Sequence, residues 1–145
     1  MNLELKDKVV FVTGSSRGIG LEISIGFARE GARVVLTGRD PNILADAAKK
    51  IKASGGNVHA YAGNMLDEME IRKCLEEVVN KWGGIDVLVA NIGSGKGERG
   101  WDIDESEWNE LIDLNLFSGV KVVKESVPHL IKGKGSIVFI SSIAG

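Results

Sequence analysis

Apolar residues follow two rhythms along this chain. Short runs are apolar at nearly every position, as in Val9-Val10-Phe11-Val12, Val34-Val35-Leu36 and the stretch 85–90, and between them apolar residues return every three or four positions. The first rhythm fits strands of a parallel sheet covered on both faces, and the second fits amphipathic helices. The pattern predicts strands at 9–12, 33–37, 58–62, 85–90 and 136–140, with helices over about 19–30, 41–54, 67–82 and 105–131. Punctuation agrees: Gly31, Gly55-Gly56 and Gly83-Gly84 stop helices, while Asp40 precedes Pro41 as a cap precedes a first helical residue. Asp67 with Glu70, and Asp104 with Glu107, have capping-box spacing. Strand and helix alternate without a linker or repeat, so residues 1–145 read as one doubly wound α/β domain. Ligands of such sheets gather at the carboxyl ends of the strands. Thr13, Gly38, Gly63-Asn64, Asn91 and Ser141-Ser142 follow strand ends and should share one rim.

The first of these turns, Thr13-Gly14-Ser15-Ser16-Arg17-Gly18-Ile19-Gly20, carries little side chain between a buried strand and a helix. Such a turn lets backbone approach a ligand while the helix's first N–H groups and positive dipole end point at it, which favours a phosphate. By spacing alone it could equally be a tight bend with no ligand.

Thr13-Gly14-x-x-x-Gly18-Ile19-Gly20, Asn91-Ile92-Gly93, Leu114-Asn115-Leu116 and Ile140-Ser141-Ser142 occur in an order and spacing that resemble the motifs of the short-chain dehydrogenase/reductase family. The resemblance spans the chain. It implies a Rossmann-like parallel sheet of order 3-2-1-4-5 and an NAD(P)-dependent oxidoreductase moving hydride between nicotinamide and a carbonyl or alcohol substrate. That substrate would be a 3-oxoacyl group on a carrier protein, or a sugar, steroid or other small carbonyl. It implies Gly14, Ser16, Gly18, Ile19 and Gly20 around the pyrophosphate, and Asn64 with Met65 near the adenine. Asn91 and Gly93 belong near the ribose, and Asn115 and Ser142 in the catalytic group.

Two of these residues carry an argument of their own. Asn115 sits on a helical stripe with Trp108, Leu111, Ile112, Gly119, Val122, Val123 and Leu130. An amide buried there without partners would cost about 1 to 3 kcal/mol, so it is either a satisfied core amide or a functional one. In the family such an Asn accompanies an irregularity of the helix. By position Ser142, like Ser141, is a rim serine after the last strand, and it is the resemblance that implies its hydroxyl bonds the substrate oxygen; no base stands beside it to make it a nucleophile, since His59 is on a strand and His129 near the end of the long helix.

Cofactor choice turns on the second strand's end, where an acidic side chain would hold an NAD ribose and an arginine a 2′-phosphate. The chain offers Gly38-Arg39-Asp40, with Asp40 explained as a cap and Arg17 available to share a phosphate with Arg39, so NADP is expected over NAD. Both arginines could also be solvated surface charges.

The chain departs from the family in three places. Ala90-Asn91-Ile92-Gly93 stands where Asn-Asn-Ala-Gly is usual, and Asn64 stands where an Asp is usual. The Tyr-x-x-x-Lys pair that exchanges the proton is absent: the single tyrosine, Tyr61, lies in the third strand with Met65 four residues on. The expectation is therefore an N-terminal portion of a reductase, inactive alone, with the fifth strand as an open apolar edge. The alternative is a non-catalytic nucleotide-binding module of natural short length.

Composition excludes other classes. With a net charge of −2 and 26% charged residues there is no basic footprint for nucleic acid, and no apolar run approaches membrane-spanning length. A charged N-terminus without an apolar core makes the cytoplasm the expected compartment. No metal site is expected. The single cysteine, Cys74, lies among Ile71, Leu75 and Val78 and reads as packing. The helix 105–131 resembles the family's dimerisation helix, with Leu114, Phe117 and Val120 broadening its apolar face, so a homo-oligomer is expected; a further helix of the same chain would cover that face equally well. The loop 94–100, charged and glycine-rich, hints at a polar substrate.

Overall fold

The computed structural model describes residues 3–95 and 101–142. Five strands, β1 (Val9–Val12), β2 (Arg33–Gly38), β3 (Asn57–Ala62), β4 (Val87–Ala90) and β5 (Ser136–Phe139), form one sheet in the order β3-β2-β1-β4-β5. Every pairing is parallel, with Val10 opposite Val34 on one side and Val87 on the other. This is the Rossmann-like arrangement.

Strand period two sorts the apolar runs between the two faces. Val10, Val12, Val34, Leu36 and Val89 point to one side, where they pack with Leu21 and Ala28 of α1 (Gly18–Arg29) and Leu44, Ala47 and Ile51 of α2 (Pro41–Ala53). Val9, Phe11, Val35 and Leu88 point to the other, against Ile71, Cys74, Leu75 and Val78 of α3 (Glu68–Trp82). Burial pushes the Cys74 thiol up, so it stays protonated as a packing group.

The long helix expected over 105–131 is three segments: α4 (Glu105–Ile112), a π-helical turn at Asp113–Phe117, and α5 (Ser118–Gly133). Only its last part joins the core, through Val122 and Leu130. No residue of α4 or of the π turn is buried, so the predicted stripe overstates the apolar packing, and Asn115 is an exposed residue. The fourth strand is also shorter than the apolar run, starting at Val87.

Caps hold as helix stops and starts, with one change. Asp40 accepts from the N–H groups of Asn42 and Ile43, and Asp104 from that of Glu107. Asp67 accepts from Met69, but Glu70 does not close a capping box, because Asp67 N–H is given to the Asn64 carbonyl. The Glu70 carboxylate instead accepts from the Tyr61 hydroxyl at 3.1 Å and pairs with Lys73.

Arg72 of α3 grips Glu125 of α5 with two nearly parallel hydrogen bonds, Nε to Oε2 at 2.8 Å and Nη2 to Oε1 at 3.0 Å. That fork holds the Glu125 carboxyl below its ordinary range. All four residues of β5 are exposed, including Ile137, Val138 and Phe139. Among the described residues no helix is long and apolar enough to cross a membrane.

Ser126 of α5 is fully buried and its hydroxyl has no partner among the described residues. Replacing it with alanine removes that unsatisfied group and suits the helix. Ser126→Ala should gain about 1 kcal/mol of stability, read as a higher urea midpoint at unchanged slope.

Candidate cofactor site

Parallel strands bury their ends under helices, so polar groups of the turn after β1 must find partners inside the protein. They do so on both sides. Toward β2, Gly14 N–H donates to Thr37 Oγ1 at 3.2 Å and Ser15 N–H to the Thr37 carbonyl at 2.9 Å. Ser15 Oγ donates to the Val12 carbonyl at 2.7 Å and accepts Thr37 N–H at 2.9 Å. Toward β4, Thr13 Oγ1 accepts Asn91 N–H at 2.9 Å, while Asn91 Nδ2 donates to the carbonyls of Thr13 and Gly14. Thr13, Ser15 and Thr37 are buried almost completely.

Past this anchored start the chain turns outward. Ser16 is half-buried, and Arg17, Gly18 and Ile19 are exposed, with Gly14 and Gly18 at positive φ. Helix α1 then begins without a cap: Arg17, at the cap position, makes no side-chain hydrogen bond to it, and its first turn has no acidic residue. Helices α2, α3 and α4 each have an aspartate cap. The first N–H groups of α1, on Gly18, Ile19 and Gly20, thus carry the helix's positive end to the rim, with no side-chain cap among the described residues.

Two glycines are there because backbone or side chain fills the space of a Cβ. At Gly20 a Cβ would stand 2.5 Å from both the Gly14 carbonyl oxygen and Asn91 Nδ2. At Gly38 it would stand 2.8 Å from the Ser16 Cβ, so Ser16 occupies the place of a side chain at the end of β2. Arg39 follows, exposed.

The other rim residues divide. Asn64 is exposed, its Oδ1 accepting Leu66 N–H at 3.1 Å, whereas the Met65 side chain is buried in the core below; Met65 can meet a ligand only through its backbone. Gly93 is exposed, and the neighbouring Ser94 N–H donates to Asn115 Oδ1 at 2.8 Å. Asn115 Nδ2 donates back to the Leu111 carbonyl at 3.0 Å. Asn115 is therefore not a core amide but a bracket between the wide π turn and the loop after β4, satisfied at the surface. Ser142 is exposed just beyond β5 on the same rim. Residues 96–100 of the glycine-rich loop and 143–145 lie outside the described residues.

Tyr61 does not serve here. It is buried, and burial, then the Glu70 carboxylate beside it, push its hydroxyl up to about 12, so it holds its proton at neutral pH. Among the described residues no group of three or more His, Cys, Asp or Glu could hold a metal ion.

The sequence reading missed Ser15 and Thr37 as parts of the site. The signal was there for Thr37, a hydroxyl closing an apolar strand, but polar strand ends are common and only the structure shows the hydroxyl turned inward.

The sequence model of the family described as short chain dehydrogenase matches residues 8–145. The chain belongs to this family. It is 35% identical over 144 residues to the 3-oxoacyl-[acyl-carrier-protein] reductase FabG of Thermotoga maritima, covering 99% of this chain and 58% of that protein. Among solved structures it is similar to the L-sorbose reductase of Gluconobacter frateurii complexed with NADPH and L-sorbose, with TM-score 0.92 and 33% identity over 99% of this chain and 55% of that one. It is also similar to an NADH-dependent reductase A1-R′ complexed with NAD, with TM-score 0.89 and 31% identity over 99% of this chain and 63% of that one. The chain thus spans a little over half the length of the curated relatives it matches.

The close approach at Gly20 sets a stringent requirement. Gly20→Ala should cost about 3 kcal/mol, because backbone and not a flexible side-chain end would have to move. Gly26→Ala, on the same helix with open space around the new methyl, should instead gain about 0.5 to 1 kcal/mol. Thermal melts of the two variants beside the parent check both signs.

Proposed function

We propose that this short-chain dehydrogenase binds NADP(H) at the turn between β1 and α1 and serves hydride transfer between the nicotinamide and a carbonyl or alcohol. The observation that carries the reading is the uncapped α1 N-terminus, held open at the rim while the other loop-started helices take an aspartate. Pyrophosphate oxygens suit the N–H groups of Gly18, Ile19 and Gly20, with Gly14 and Ser16 lining the approach. The exposed Ile19 side chain gives an apolar surface for a planar ring. Asn64 and the Met65 backbone are the residues assigned to the adenine, and Asn91 and Gly93 to the ribose side.

The two solved relatives differ in cofactor, NADPH in one and NAD in the other, so the preference must be argued from this chain. An acidic side chain that would accept from both ribose hydroxyls is lacking at Gly38, and Ser16 fills the space it would take. Arg39 and Arg17 supply positive charge on either side of that gap, which suits a 2′-phosphate. When bound, the nicotinamide supplies or accepts the hydride. Ser142 is assigned to hydrogen-bond the substrate oxygen, and Asn115 to hold the loop after β4 in place beside it. A 3-oxoacyl or sugar carbonyl is the substrate class favoured by the FabG and L-sorbose reductase similarities. The exposed Trp108, Ile112, Leu116, Phe117 and Val120 support pairing with a second copy through the stretch 105–131.

Residues 1–145 contain no Tyr-x-x-x-Lys, so by themselves they hold a cofactor without exchanging the substrate proton. That lack equally favours a non-catalytic nucleotide-binding module. Protein of residues 1–145 with a verified mass should bind NADPH and reduce neither a 3-oxoacyl thioester nor a keto-sugar; measured turnover would contradict this. In titrations of nicotinamide fluorescence, Arg39→Ala should lower the NADPH-to-NADH affinity ratio by about tenfold, the size of one lost charge-assisted fork. An unchanged ratio would remove the phosphate clamp from the account.

A further inference from the structure

We propose that Thr37 and Ser15 are positioning residues of the cofactor turn, their hydroxyls deciding which backbone N–H groups of the turn face the rim. Two donors at its start are spent inward on β2, Gly14 N–H on Thr37 Oγ1 and Ser15 N–H on the Thr37 carbonyl. The network is closed. Thr37 Oγ1 returns its own hydrogen to the Val12 carbonyl at 3.3 Å, the same oxygen that takes the Ser15 hydroxyl, and Thr37 N–H goes to Ser15 Oγ. Five groups of two residues are satisfied with neither side chain exposed to water.

Closure matters because a bond lost in a dry site is not replaced by water. With Gly14 and Ser15 pinned, the chain leaves the sheet through Ser16 and the extended Arg17, which brings the first donors of α1 outward as one group. Contact of Ser16 with the bare Gly38 fixes the outer edge of the same turn against β2. A valine at position 37 would keep the shape and remove the acceptor, leaving the half-buried Gly14 N–H without its partner and the Val12 carbonyl without the Thr37 hydroxyl. The turn would then shift toward the rim to hydrate that N–H and lose register with a phosphate. A serine at 37 keeps the hydroxyl and the register.

This inference rests on the cofactor reading above, and its test separates the two. Dissociation constants for NADPH and for NADH are measured for the parent, Thr37→Val, Thr37→Ser and Ser15→Ala, at a temperature well below each melting point. Thr37→Val and Ser15→Ala should weaken both dinucleotides by the same factor, about tenfold, with the NADPH-to-NADH ratio unchanged, while Thr37→Ser stays within about twofold of the parent. A merely structural role would lower the melting temperature of folded Thr37→Val and Ser15→Ala and leave both dissociation constants at the parent value, which would overturn the proposal. Should Thr37→Val not fold, Ser15→Ala, which removes the partner of Thr37 N–H, decides by the same two readouts. A parent protein that binds neither dinucleotide would overturn the cofactor reading itself.

Discussion

A parallel sheet with helices on both faces has no water near its middle strands, so every polar group at the end of β1 must be answered from within. The answer here is a knot in which Thr37 of β2 and Asn91 after β4 take hold of the first residues of the turn. The rest follows from it. Because Thr13, Gly14 and Ser15 are tied down between two neighbouring strands, the turn has to leave the sheet at Ser16, and α1 starts at the rim with its N–H groups outward. Gly20 then lets the helix sit against that knot at a distance no side chain would permit.

The two faces of the sheet do different work. The side of α1 and α2 is an apolar packing layer whose upper edge is the glycine turn and the bare Gly38. On the side of α3 and α5, packing is finished by charge, with the Arg72–Glu125 fork joining the helices outside the core. Tyr61 and Cys74 belong to that second layer, and burial keeps both protonated, which leaves acid–base work among the described residues to none of the side chains the core contains.

Much of this was legible in the sequence, because strand order, helix ends and caps depend on local pattern and on rules of connection. Asp40 before Pro41 specified both a cap and a first helical residue, and the structure has both. What stayed hidden depended on which side chain takes which partner. Glu70 has the spacing of a capping box, but Tyr61 and Lys73 claim its carboxylate, and no local pattern reports that competition. The periodicity of 105–131 could not reveal the π turn, since widening one turn shifts the stripe by a residue without changing composition. The stripe put Asn115 on the apolar side and left a core amide and a functional one both open; the structure sets it at the surface, bracketing Ser94 and Leu111. Met65 beside Asn64 shows the same limit at single-residue scale: adjacent positions after a strand point in opposite directions, one to solvent and one into the core.

The central claim is that an anchored turn presents the α1 N-terminus to a dinucleotide. Heteronuclear NMR of the amide groups during titration with NADPH tests it directly. The account predicts that the largest shifts fall on Ser16 to Gly20, with smaller ones on Arg39, Asn64 and Gly93, and that Gly14 and Ser15, already bonded to Thr37, change least within the turn. Shifts concentrated elsewhere, such as between α3 and α5, or the absence of any shift at saturating NADPH, would contradict it.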